Sequence, residues 1–401
     1  MTLPDPDFRA DAARRYDMAN RETLRWMLSR PALKGGFLDT KVNPLTGADY
    51  GQGDGLRGPD WTYGWIQGRG LEALATFARH YRDSDPALSR RLLERARALY
   101  RRLCALTEGG HAYFLYDAGM RPVRPEGAGV VGQDTPPEVF TFADAFVAKG
   151  LVAASALFDP GAVPGHRAYL DRVIASIEDG RFQIDEKAPL GAAAIAAQPD
   201  DFGPRMILLG AAGLLRRAGE TTGPWADRFI AHVVERHFDP EKGILRNIPG
   251  EDAFNAGHGI EFAGFAFDHL RIGADPALRD RLAGILRRSL ELSFTGPGVV
   301  LSLSLASGRP LLARWPWWKQ PEAIRAAALA LAHGADPGLF DWWKRTDSAF
   351  FGSFWQAGRG YAHQTLGPDG PVDFVPATPD LDPAYHTSLS LLAAQTAGTG
   401  D

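Results

Sequence analysis

Cys104 is the only cysteine in 401 residues, which rules out an intramolecular disulfide and a zinc site built from thiolates. No uninterrupted apolar run reaches membrane-spanning length. The opening Met1-Thr-Leu-Pro-Asp-Pro-Asp lacks the basic and apolar regions of a signal peptide, so a cytoplasmic protein with no membrane partner is expected. Positive charge is also short: 44 Lys and Arg face 48 Asp and Glu, evenly scattered, with no basic stripe for a phosphate backbone, and nucleic acid is excluded as a partner. The chain has no P-loop string, no Gly-x-Ser-x-Gly elbow and no His-Glu-x-x-His, which counts against kinase, serine hydrolase and metalloprotease chemistry. Gly53-Asp-Gly-Leu-Arg-Gly58 spells a dinucleotide fingerprint, yet it follows no strand and runs into Pro59, so it is expected to be a loop. The ten histidines lack close metal-ligand spacing, and neither metal nor cofactor is expected.

What is present is the composition of a folded globular chain, 45% hydrophobic and 23% charged, with ample core-forming material. Helical periodicity closed by Gly, Pro and Asp punctuation predicts helices over 9–29, 64–82, 87–107, 138–157, 165–178, 203–218, 224–237, 258–272, 276–292, 316–333, 337–350 and 384–396. They fall into pairs, which makes six helical hairpins. Between them, Gly36–Lys41 with Asn43–Gly47, His111–Tyr116 with Asp117-Ala-Gly, Leu301–Leu305, and Gly360–Thr365 with Asp369-Gly read as short β-hairpins. No Pro/Gly/Ser linker or charge block divides the chain, so residues 1–401 are expected to form one domain. Periodicity alone does not separate an open solenoid from a closed toroid.

Four segments carry candidate chemistry. In Trp65-Ile-Gln-Gly-Arg69 and its continuation, Trp65, Arg69 and Glu72 share one helix face; a surface Arg69–Glu72 ion pair is the plain alternative. Gly257-His-Gly-Ile-Glu-Phe262 sets His258 and Glu261 one turn apart at a helix start, where a capped helix with a buried, satisfied histidine would look the same. Trp317-Trp318-Lys-Gln-Pro-Glu322 offers an aromatic face for a sugar ring beside a carboxylate for its hydroxyls, or else a tryptophan core cluster. Pro383-Ala-Tyr385-His386 places a second histidine at a helix start near the C-terminus.

In this order the four segments resemble the N-acylglucosamine 2-epimerase family, which also holds cellobiose 2-epimerases and mannose and sulfoquinovose isomerases. The family looks like Trp-x-Gln-Gly-Arg early, Gly-His-x-x-Glu past the middle, Trp-Trp-x-x-x-Glu-Ala later, and Tyr-His or Phe-His near the end; here these are Trp65–Arg69, Gly257–Glu261, Trp317–Ala323 and Tyr385-His386. The resemblance implies an all-α fold, an (α/α)6 barrel with short β-hairpins in its loops and the site at one mouth. It further implies His258 and His386 as an acid/base pair, Arg69 near a carbonyl oxygen and Glu261 supporting His258. Trp318 and Glu322 would hold the sugar ring, with Trp65, Trp317 and Tyr385 beside it. Gly203-Pro-Arg-Met-Ile207 lacks the histidine that many isomerase members carry, as does the N-acylglucosamine branch, and the basic residues that flank the last histidine elsewhere are missing, which disfavours an anionic substrate.

The C2 proton of an aldose leaves only if a base takes it while an electrophile stabilises the carbonyl oxygen. His258 or His386 suits the first role and Arg69 the second. Epimerisation needs delivery to the opposite face, hence two groups; aldose–ketose isomerisation needs one. A glycoside hydrolase or lyase on the same toroid would instead need paired acids, for which Asp60, Asp144 and Glu322 are the candidates. A sugar-binding scaffold without turnover ranks last. The expected partner is a free sugar, and a homodimer is one assembly left open.

Overall fold

The computed structural model describes residues 5–375 and 377–397. Its helices are α1 (Pro6–Ser29), α2 (Gly64–His80), α3 (Pro86–Leu106), α4 (Phe142–Phe158), α5 (Val163–Glu178), α6 (Ala192–Ala197), α7 (Gly203–Arg217), α8 (Trp225–His237), α9 (Ala256–His269), α10 (Pro276–Ser293), α11 (Lys319–Ala332), α12 (Leu339–Ala349) and α13 (Ser390–Thr396). Every helix read from periodicity is there. The short α6 was not foreseen, because six small apolar residues give no period to read.

The helices form two concentric layers. In the inner ring α2 packs on α4, α4 on α7, α7 on α9, α9 on α11 and α11 on α13, and the π-helical turn Tyr385–Leu389 that opens α13 packs back on α2. That last contact closes the ring, so the fold is an (α/α)6 barrel and not a solenoid. The outer helices α1, α3, α5, α8, α10 and α12 pack on α13, α2, α4, α7, α9 and α11 respectively. No helix among the described residues is long and apolar enough to cross a membrane.

Sequence explains which helix takes which layer. Outer α3 is amphipathic and buries Leu88, Leu92, Ala96, Leu99 and Leu103 along one stripe. Inner α4 is apolar nearly all round and is buried from Ala143 to Ser155. Outer α1, α3 and α10 each begin at an Asp-Pro pair, where Asp5, Asp85 and Asp275 accept a free N–H of the first turn and the proline fills a position that needs no donor. Helix α4 begins four residues later than expected, since Thr141 and Asp144 form its capping box after Pro136 and Pro137. Helix α11 begins three residues late because Trp315–Pro316 is a strand paired with Thr365–Leu366.

The loops hold short ladders at the barrel mouth. Leu115–Tyr116 and Thr365–Gly367 form the expected hairpins. Leu303–Ser304 pairs instead with the distant Ala253–Phe254, and the 36–47 stretch has only isolated bridges, because tertiary contacts outweigh the local turn signal there. Gln52–Arg57, overlapping the dinucleotide-like string, is a 3-10 turn.

Helices α2 and α4 touch through their backbones. A Cβ on Gly68 would lie 2.5 Å from the carbonyl carbon of Phe146, and one on Gly150 would lie 2.5 Å from the Gly68 oxygen. Gly165, on the outer α5, faces open space. Gly150→Val is therefore expected to cost about 1–3 kcal/mol of stability or more, and Gly165→Ala to add about 0.4–1 kcal/mol; urea denaturation of both variants checks the pair.

Candidate active site

The starts of inner helices α2, α9, α11 and the turn before α13 converge at one mouth, and with them come the residues singled out from the sequence. Trp318, at the N-cap of α11, is the hub. Its indole lies 6.0 Å from the His258 ring and 5.3 Å from the His386 ring, centroid to centroid. Three segments far apart in the chain thus meet around one indole.

His386 sits on the π-helical turn, an element often found at functional sites. Asp382 fixes the turn: its carboxylate accepts the N–H groups of Tyr385, His386 and Thr387, and Ala384 adopts a left-handed φ of 66° to bring the chain round. The His386 Nδ1 meets Glu322 Oε1 at 2.9 Å, and Glu261 Oε1 lies 3.9 Å away. Arg325 holds the other Glu322 oxygen. A ring nitrogen against a carboxylate carries the proton, which leaves Nε2 with a free lone pair. Burial pushes His386 down to about 4, opposed by Glu261, and it pushes Glu322 up to about 7, opposed by Arg325.

His258 has the opposite arrangement. Asn247 accepts the Asn255 N–H through Oδ1 at 2.9 Å, which fixes its amide so that Nδ2 donates to His258 Nδ1 at 3.0 Å. The imidazole is then neutral with its proton on Nε2. Burial, and after it the Lys319 ammonium, pushes His258 down to about 4. Lys319 is fully buried and donates to Asn255 Oδ1 (2.6 Å), Val300 O (2.8 Å) and Leu301 O (2.6 Å), tying the starts of α9 and α11 together. Gly257 is required at this junction, since a Cβ there would meet Trp318 and Lys319 at 2.6 and 2.7 Å. Among the described residues neither histidine's Nε2 has a hydrogen-bond partner.

Arg69, on the second turn of α2, stacks on three rings, with its guanidinium carbon 4.0 Å from Phe146, 5.2 Å from Trp65 and 5.2 Å from Tyr385. Its Nε is buried and unpaired, and the guanidinium makes no hydrogen bond or ion pair among the described residues. Burial lowers its pKa, while Tyr385, Glu261, Asp382 and Glu322 pull it back up. A buried cation with unfilled donors is a seat for a ligand oxygen.

Four expectations change. Glu261 does not support His258; its carboxylate faces His386, because on α9 it points inward toward α11 and α13. Glu322 is not free for sugar hydroxyls, since His386 and Arg325 occupy both oxygens. The Arg69–Glu72 surface pair does not form: Glu72 is buried against Lys149 at 3.3 Å, and Lys149 donates to the Tyr385 hydroxyl at 2.6 Å. Asp144 is spent on structure, with its oxygens accepting from Thr141, Ala112 and Tyr169. Trp65 donates to Glu186, whose other oxygen accepts the Ala143 N–H at the start of α4. Trp317 is buried and donates to Thr387.

Sequence reading missed Lys149, Glu186, Asn247, Lys319, Arg325 and Asp382. Lys149 left a signal, as the one basic residue in the apolar α4, and Arg325 stands one turn after Glu322. Asn247 left none.

No family model and no curated protein sequence matches this chain. Solved structures do match its fold. A cellobiose 2-epimerase from Bacillus thermoamylovorans superposes with a TM-score of 0.75 at 15% identity, covering 96% of this chain and 99% of the other. A D-mannose isomerase gives 0.74 at 13% identity, covering 98% and 100%. A more distant match, an unsaturated glucuronyl hydrolase specific for heparin, gives 0.53 at 10% identity over 96% of each chain. The fold is that of carbohydrate epimerases and isomerases, shared more loosely with enzymes that cleave glycosidic bonds.

The depressed His258 predicts a pH signature. Between about 6.5 and about 4 the unfolded imidazole takes up a proton that the folded one refuses, so this residue's effect on stability is favourable to folding above that window and turns against it as pH falls. The stability of the wild type relative to His258→Gln is expected to drop as pH is lowered from about 6.5 toward about 4. Urea denaturation of both proteins across that range checks it, and a flat difference would contradict the buried neutral imidazole.

Proposed function

We propose that this chain is a carbohydrate epimerase or isomerase of the N-acylglucosamine 2-epimerase type, moving the proton on the carbon beside the carbonyl of a free, uncharged mono- or disaccharide through an enediolate. One observation carries the reading: two imidazoles of opposite tautomer flank Trp318 with their Nε2 atoms unfilled, beside the unpaired Arg69 guanidinium. The likeness to sugar epimerases and isomerases over nearly the whole chain supports it.

In this scheme His386 Nε2 takes the proton from C2, and the electrons of the C–H bond move onto the carbonyl oxygen. Glu322 stabilises the imidazolium that forms, with Arg325 behind it. Arg69 and the His258 Nε2–H donate to the oxygen where negative charge develops, as preorganised donors that need not reorient. Trp318 supports the sugar ring. Return of the proton to C1 on the same face, with a hydroxyl proton passing between O2 and O1, gives the ketose and needs His386 alone. Return to the opposite face of C2 gives the epimer and needs His258 to arrive protonated. A neutral imidazole that gave up its Nε2 proton would become an imidazolate, and His258 has only an amide at Nδ1 and Lys319 nearby, whereas His386 has the Glu322 and Glu261 carboxylates beside it to offset the charge of an imidazolium. The site therefore supports the single-base, aldose–ketose outcome better than the two-base one.

The hydrolase reading is weaker. Glycoside cleavage needs an acid and a base open to the sugar, whereas Asp144 is consumed by capping and Glu261 and Glu322 lie buried behind His386.

NMR of free hexoses, N-acyl hexosamines and cellobiose with the protein in D2O tests the proposal. One of these is expected to interconvert with its ketose or C2 epimer and to take up deuterium. His386→Asn should lower both rates by on the order of a hundredfold or more; His258→Asn should slow interconversion yet leave C2 exchange measurable. Full turnover in a folded His386→Asn protein, or release of reducing ends from oligosaccharides without interconversion, would overturn it.

A further inference from the structure

Behind the start of α7, outside the mouth described above, Asp200, His232 and His237 come together. The three offer ligand atoms that all lie within 4.8 Å of one another. Both histidines belong to α8, five residues apart, so sequence spacing did not reveal the pair. His237 is fixed for the purpose: Nδ1 lies 3.1 Å from the Arg246 carbonyl and must be its protonated nitrogen, which leaves Nε2 as a bare lone pair. That Nε2 is buried, has no hydrogen-bond partner, and lies 3.9 Å from Asp200 Oδ1. His232 Nε2 is likewise buried and unpaired. Two buried imidazole nitrogens without partners, in residues that share this cluster with a carboxylate, are a costly arrangement without a ligand.

We propose that Asp200, His232 and His237 form a binding site for a divalent transition-metal ion of the zinc class. Two imidazoles and a carboxylate suit such an ion, with water completing a tetrahedron. Ligands at about 2.0 Å around it would stand roughly 3.3 Å apart, so the three side chains must close in modestly. Asp200 is exposed on the stretch between α6 and α7 and can make most of that adjustment. Arg236 holds the other oxygen, Oδ2, at 2.8 Å; its charge weakens cation binding but also orients the carboxylate.

The site is separate from the proposed catalysis yet touches its scaffold. His237 bonds to the carbonyl of Arg246, and the next residue, Asn247, is the donor to His258 Nδ1. Phe202 meets both rings edge to face, 5.3 Å from the His237 ring and 6.4 Å from the His258 ring. An ion would pin the 200–202 stretch, the end of α8 and the 244–247 stretch to one point, holding Asn247 from behind. It acts on structure and takes no part in proton transfer. A second such cluster among the described residues, Glu261, Glu322 and His386, belongs to the candidate active site, where His386 and Arg325 already stand against Glu322.

The test uses the full chain, treated with chelator and dialysed, then titrated with zinc chloride by calorimetry and followed by thermal unfolding. One ion per chain is expected, with a Tm that rises with zinc concentration. Asp200→Asn and His232→Ala should each lose this binding and the zinc-dependent rise in Tm. Asp200→Asn, exposed and nearly isosteric, keeps the test sound if His232→Ala folds poorly. Cobalt in place of zinc should give the visible absorption of a tetrahedral site in the wild type and not in Asp200→Asn. Failure of the folded wild type to take up zinc saturably, or uptake unchanged in Asp200→Asn, would overturn the proposal. Neither result depends on sugar turnover.

Discussion

The Glu322 carboxylate, fully enclosed by the inner helices, is the constraint around which the mouth of this barrel is built. An isolated carboxylate there would cost several kcal/mol or more, so His386 and Arg325 each take one of its oxygens. Once His386 is bound in this way, its tautomer is set and its Nε2 turns outward. The same need draws the chain end back to α11, which requires the Asp382-capped π turn and the left-handed Ala384. That turn also packs on α2 and closes the ring. One buried charge thus links the closure of the toroid to the chemistry at its mouth.

The second histidine is held by neutral groups. Asn247 gives His258 a donor, and Asn255 both caps α9 and accepts from Lys319. Burial keeps the neighbouring imidazole neutral, and Lys319, which has three oxygen acceptors and no counter-ion among the described residues, adds to that effect. Two histidines beside one indole therefore differ in tautomer through their partners alone. A carboxylate leaves one with a free Nε2 lone pair, and an amide leaves the other with an Nε2–H.

Close helix contact makes this geometry rigid. At Gly68 and Gly150 the backbones of α2 and α4 meet directly, and Gly257 lets the start of α9 press on Trp318. Positions that support the site by lacking a side chain are hard to tell in sequence from glycines that merely break helices. Gly165, which faces open space in α5, has the same letter and none of the constraint.

Twelve of the thirteen helices in the described residues, with their pairing and approximate limits, were legible in the sequence, because the 3.6-residue period and the Asp-Pro starts are local properties of the chain. The order of four short motifs was legible too, and with it Arg69, His258, Trp318 and His386 among the residues that meet at the mouth. Contacts were not. The partner of Glu261 is decided by which inner helices adjoin, and the binding of Glu72 to Lys149, not Arg69, depends on α4 lying against α2. Asn247 sits in a loop with no pattern, and only the tertiary fold brings its amide to His258. The Asp200, His232 and His237 group was hidden for the same reason, since two residues of α8 and one of a distant loop share no spacing rule. What the chain determined by itself was a set of periodic helices carrying polar groups at their starts; which group faces which, and so which nitrogen of each mouth histidine bears the proton, was decided when the ring closed and burial set Glu322 against His386 and Asn247 against His258, while leaving Arg69 unpaired.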